Sequence, residues 1–201
     1  MKPLGYLVNY PDNQEGERGV FYDYILSANG LFIESKGKLL SARIPVDEFT
    51  VRGLAPLEPQ VNLYHGRIPH QLFDLSVNNF LLDTYHERYL AVAWKNGYSL
   101  YAPEQTDKEG SVEYMMGDSI ILDLHSHAHM PAFFSTKDNE DETGLKLYGV
   151  VGKLDGVPVV KLRIGVYGYF YPIAWNDVFD GSLTGAVESA EIEEVIQRYD
   201  L

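Results

Sequence analysis

The stretch PHQLFDLSVNNFLLDTYHERYLAVAWKNGYSLYA, residues 69–102, decides the fold class, because the period of its apolar residues changes partway along. Phe73, Val77, Phe80 and Leu81 share one face at helical spacing, while Asp74, Asn78 and Asn79 fall elsewhere. This predicts one amphipathic helix from residue 69 to about residue 85. Residues 88–95 are then a nearly continuous apolar run, and Asn96-Gly97 offers the positive φ angles of a tight hairpin into residues 98–102. A helix followed by a strand pair excludes an all-helical chain and points to an α/β domain.

Working outward, residues 19–26 and 31–34 read as strands around a turn at 27–30, with a further strand at 39–44. They predict a small β layer over residues 1–66. Downstream, residues 119–125 form a third strand of the main sheet, and 147–154 with 157–171 form a hairpin around Asp155-Gly156. A closing helix is expected over 187–199. The division is therefore a β-rich extension at 1–66, a mixed sheet flanked by helices at 67–172, and a helical segment at 173–201.

Composition narrows the function classes. The chain of 201 residues is long enough to bury a substantial core without staples. It has no cysteine, so any metal must be held by nitrogen and oxygen donors. With 29 acidic against 16 basic residues the formal charge is −13, which argues against a surface that tracks nucleic-acid phosphates. No apolar run approaches the roughly 20 residues that span a bilayer, and the N-terminal residues lack the apolar stretch of a signal peptide. A soluble, cytoplasmic chain is the expectation. Trp94, Trp175 and the aromatic run from Tyr167 to Tyr171 read as core and sheet faces.

Chemistry concentrates after the strand at 119–125, where His125, His127 and His129 alternate. In an extended segment alternate side chains point the same way, so His125 and His127 present two imidazoles to one ion. Asp138, eleven residues beyond His127, completes a set of three if the chain turns back. Two histidines and a carboxylate leave a fourth tetrahedral position for water, the arrangement of a catalytic zinc rather than a closed structural one. The water then needs a base, for which Glu34, Glu87, Glu104, Glu109 and Glu113 are the candidates.

The run His125-x-His127, seven residues, Ser135-x-x-Asp138 resembles the signature of the JAB/MPN+ (JAMM) metalloproteases, zinc peptidases and isopeptidases acting on ubiquitin and ubiquitin-like proteins. The family's glutamate stands after its first helix at the head of an apolar strand, which is the context of Glu87, with Glu34 the second choice. The resemblance implies a JAB/MPN-like fold over roughly residues 69 to 172. His125, His127 and Asp138 would ligate zinc, Glu87 would be general base, and Ser135 would stabilise the oxyanion. A protein or peptide substrate, such as the tail of a ubiquitin-like protein, follows from the same resemblance. With its β-rich extension ahead of that region, the chain also resembles the A-protein family of PRTRC cassettes, bacterial gene sets that include a ThiF-like activating enzyme.

Several features depart from the pattern or have a plainer reading. Ala128-His129-Met130 stands before Pro131 where the family has proline directly after the second histidine. His129 shares the alternation of the pair and reads as a neighbour of the site, a substrate contact or a replacement ligand. Asp123 would face the same side and orient an imidazole. Ser135-x-x-Asp138 is also a capping box. His65, His70 and His86 lack partner spacing and read as structural. Against the enzyme stands a JAB-like binding module that holds a partner with a structural metal and no turnover; hydrolysis of a small-molecule amide is a third reading, and a deaminase lacks its cysteine ligands.

Overall fold

The computed structural model describes residues 2–102 and 119–189. Among the described residues two mixed β-sheets and three helices form an α/β arrangement that is mostly strand. The first sheet contains β1 (Leu4–Asn9), β2 (Gln14–Glu17), β3 (Tyr22–Ser27), β4 (Gly30–Lys36), β5 (Leu40–Asp47) and β6 (Gln60–Leu63), in the order β2-β1-β3-β4-β5-β6. The β1–β3 pair is parallel and the others are antiparallel. β3 alternates half-buried and buried residues, the period that makes it legible as a strand. The expected turn at 27–30 forms, and Gly30 (φ 138°) is required there because a Cβ would lie 2.1 Å from the Asp47 carbonyl oxygen. β1, β2 and β6 were not expected; β2, QEGE, is exposed throughout and so carries no burial pattern.

The second sheet holds β7 (Tyr89–Trp94), β8 (Tyr98–Tyr101), β9 (Ile120–Ser126), β10 (Leu145–Gly152), β11 (Val159–Val166), β12 (Tyr169–Pro172) and β13 (Val187–Glu188). Its order is β12-β11-β10-β9-β7-β8, with β13 also on β11. The β9–β10 and β11–β13 pairs are parallel. The single strand expected over 157–171 is two strands, because Tyr167 (φ 50°) and Gly168 (φ 89°) both adopt positive φ and turn the chain. The 187–199 helix is corrected at its start: Val187 and Glu188 pair with β11, and residues 190–199 lie outside the described residues. In the β7–β8 hairpin only Asn96 of the Asn96-Gly97 pair takes positive φ (61°).

The helices are α1 (His70–Phe80), α2 (Thr136–Asp141) and α3 (Trp175–Val178). α1 stops short of the predicted residue 85 because Asp83 Oδ1 accepts the N–H groups of Tyr85 (3.0 Å) and His86 (3.1 Å), a local turn that displaces the helical pattern. Arg88 Nη1 donates to the Asn79 carbonyl at 2.7 Å and satisfies one of the helix's last acceptors. Phe73, Val77 and Phe80 are buried as expected, whereas Leu81 is exposed. One hydrophobic core joins Ile33, Leu40 and Ile44 of the first sheet to these α1 residues, to Leu122, Leu124 and Val151 of the second sheet, and to Trp175. It draws on both sides of residue 66. The second sheet thus turns one face of β9 to this core, and Asp123 and His125 lie half-buried on the other. No helix among the described residues is long and apolar enough to cross a membrane.

Candidate metal centre

β9 alternates strictly at its end: Leu122, Leu124 and Ser126 are buried inward, while Asp123 and His125 lie on the outer face. His125 sits between Tyr89 of β7 and Val150 of β10. The strand ends at Ser126, but the His127 N–H still bonds the Val151 carbonyl at 2.8 Å, which keeps the second imidazole beside the first. Ala128 then adopts φ 51°, a conformation uncommon outside glycine, and the chain turns away. That turn leaves His129 exposed and outside the cluster of donors, so of its three readings the replacement ligand is set aside, because the alternation does not survive the left-handed residue.

Asp138 reaches the same place from α2. Ser135 caps that helix: its Oγ accepts the Asp138 N–H at 3.2 Å and its own N–H donates to Asp138 Oδ2 at 2.6 Å, so the capping box is present. Asp138 Oδ1 lies 3.5 Å from His125 Nε2, Oδ2 lies 3.9 Å from His127 Nε2, and the two Nε2 atoms are 3.2 Å apart. Ligand atoms of His125, His127 and Asp138 all fall within 4.8 Å of one another.

The protonation states suit a divalent cation. Burial pushes the His125 imidazole down to about 4, outweighing the Asp138 carboxylate, so it is neutral at pH 7 and has a lone pair to give. Burial opposes the Asp138 charge, but the Ser135 N–H and hydroxyl, then His125 and His127, hold its carboxyl below the ordinary range. Two imidazoles and a carboxylate aimed at one point are a nitrogen–oxygen donor set that fits zinc. His127 is 3 % exposed, and its Nδ1 is buried with no hydrogen-bond partner among the described residues, with the Phe133 ring edge-on at 4.5 Å.

Glu87 stands at the rim with Oε1 4.0 Å from His127 Nε2 and its side chain 59 % exposed. Its place is set by its neighbour: Arg88 N–H donates to Ser126 Oγ at 3.0 Å, and Ser126 N–H donates to the Arg88 carbonyl at 2.8 Å. Ser126, fully buried between the two histidines, thus ties the glutamate's backbone to the strand carrying them. Glu34, the alternative base, is in the first sheet among Arg18, Lys36 and Arg43. Glu104, Glu109 and Glu113 lie outside the described residues. Asp123 does not orient an imidazole, since its oxygens take the Tyr89 hydroxyl and the Lys146 ammonium (2.8 Å). His65 stacks on Trp94, His70 pairs with Asp180 and His86 pairs with Asp83, as structural histidines do.

Sequence reasoning missed Arg163. It lies inside the apolar strand VVKLRIGV, is 7 % exposed, and pairs with Glu142, whose carboxyl burial pushes up to about 7 against the pull of Arg163. The signal was available: a charge within a buried strand must have a partner. No protein-family model, curated protein or solved structure matches this chain.

Proposed function

We propose that this chain is a JAMM-type zinc metallopeptidase or isopeptidase that hydrolyses an amide bond with Glu87 as general base. The meeting of His125, His127 and Asp138 donor atoms within 4.8 Å, at the end of β9, carries the reading. Support for a JAB/MPN-like domain comes from the order of parts: α1, Glu87 at the head of β7, two histidines closing β9, and Asp138 on α2 before β10. In this proposal residues 1–66 are the β-rich extension and the setting is the cytoplasm.

Zinc held by the three side chains supplies a Lewis acid for the scissile carbonyl and water with a pKa of about 7. The chain's own groups do the rest. Glu87, largely exposed at the rim, takes the proton of the attacking water and delivers it to the leaving amine. Ser135 Oγ accepts the Asp138 N–H, and its hydroxyl proton turns from the Asp138 carboxylate to the developing oxyanion. Phe133 and Tyr89, each partly exposed beside a histidine, offer apolar surface to a peptide. The substrate class is a protein or peptide tail, with a ubiquitin-like protein as the first to test.

The test is elemental analysis of the purified chain and of His125→Ala and Asp138→Ala, with cleavage of ubiquitin-like proteins carrying C-terminal extensions. About one zinc per chain, lost in both variants, is expected. Glu87→Gln should keep the zinc and lose cleavage. Wild-type protein that takes up no zinc when it is supplied overturns the proposal. Zinc without any cleavage that depends on Glu87 leaves the partner-binding module with a structural metal.

A further inference from the structure

Asp138 belongs to a helix that cannot hold its own position. α2 has six residues and buries none of them, and so short a helix is not stable by itself in water. The capping box with Ser135 closes the first turn internally but does not tie that turn to the sheet. The side chain that grips α2 from the sheet at several points at once is Arg163 of β11. Its guanidinium lies between the rings of Phe134 and Phe170, 3.8 Å from each centroid. Nη1 donates to Asn139 Oδ1 at 2.6 Å, and Nε donates to Glu142 Oε2 at 2.9 Å. Phe134, Asn139 and Glu142 bracket Asp138 on both sides, so one side chain grips the segment just before the cap, the helix and its C-cap. Two tethers follow the helix: Tyr148 Oη donates to the Thr143 carbonyl at 3.1 Å, and Tyr167 N–H donates to that of Gly144 at 2.8 Å. Neither reaches the residues around Asp138 itself.

We propose that Arg163 is a positioning residue for the metal: through Phe134, Asn139 and Glu142 it holds Asp138 against His125 and His127. This inference rests on the metal reading above. Lysine does not replace it, because the planar fork and the stacking between two rings belong to guanidinium. Groups that orient metal ligands typically contribute 10–100-fold in metal affinity.

The experiment measures zinc affinity by chelator competition, the visible spectrum with Co²⁺ in place of zinc, and apo-protein unfolding. The proteins are wild type, Arg163→Lys, and the double variant Arg163→Met with Glu142→Gln. The double variant removes both charges together, so that no unpaired ion is left buried and the chain folds. Wild type should bind zinc with a tetrahedral Co²⁺ spectrum; both variants should fold, bind zinc 10–100-fold more weakly and give an altered Co²⁺ spectrum. A folded double variant with wild-type zinc affinity and spectrum overturns the role of Arg163 and leaves the metal site standing. Wild type that binds neither metal overturns the site and this inference together.

Discussion

At the residue scale, three donors meet because each is placed by a different local device. Strand alternation aims His125, a backbone bond to Val151 keeps His127 beside it, and a capping box turns Asp138 inward. Ser126 deserves equal weight because its hydroxyl receives the Arg88 N–H next to Glu87. Ser126→Ala is expected to lose about 1 kcal/mol in chemical denaturation. It should retain zinc and lower kcat on a cleavable substrate by about 10-fold or more, as loosened positioning does. Unchanged kcat would show that the glutamate does not depend on this tie. The three donors were legible because their spacing and residue types carry the chemistry. His129 stands apart from the donors because the alternation stops at Ala128, whose positive φ no residue type announces. Arg163 went unseen because its partners, Phe134, Asn139 and Glu142, are 21 or more positions away along the chain.

At the element scale, the loop after His127 is laid directly on β10. Gly152 makes this possible: a Cβ there would fall 2.4 Å from the Ala132 nitrogen and the Met130 carbonyl oxygen. Both are backbone atoms, which cannot swing aside. Gly152→Ala is therefore expected to cost about 1–3 kcal/mol in denaturant unfolding, and to weaken zinc binding by displacing the chain next to His127. A variant with wild-type stability and zinc affinity would show that this loop yields. Elements with a period, α1 and the end of β9, or with a continuous apolar run, β7, were readable in outline. Those lacking one were not: β2 is exposed along its whole length, and β6 is no better than half-buried. The β11–β12 break depends on Tyr167, a residue with no turn preference, adopting φ 50° before Gly168.

For the whole molecule, one core spans both sheets, so residues 1–66 contribute Ile33, Leu40 and Ile44 to the layer beneath the site. The outer face that carries His125 rests on this support, with Tyr24 of the first sheet and Tyr169 of the second joined hydroxyl to hydroxyl at 2.9 Å. The sequence pattern could place strands in each half but not show that the halves share a core, since an apolar strand residue does not say which sheet it will meet.

The parallel pairing of β9 with β10 makes the connection between them a crossover rather than a hairpin, and this crossover carries both His127 and Asp138. Its first end is anchored only when β10 has docked, through the His127 N–H to the Val151 carbonyl and the Leu154 N–H to the Ala128 carbonyl. The donors therefore assemble late, after a non-local strand pairing that itself limits how fast such sheets form. Zinc should then act as a latch on a finished structure and not as a seed for it. In stopped-flow measurements, saturating zinc is expected to slow unfolding and leave the refolding rate unchanged; faster refolding in zinc would place the metal at the start of folding instead.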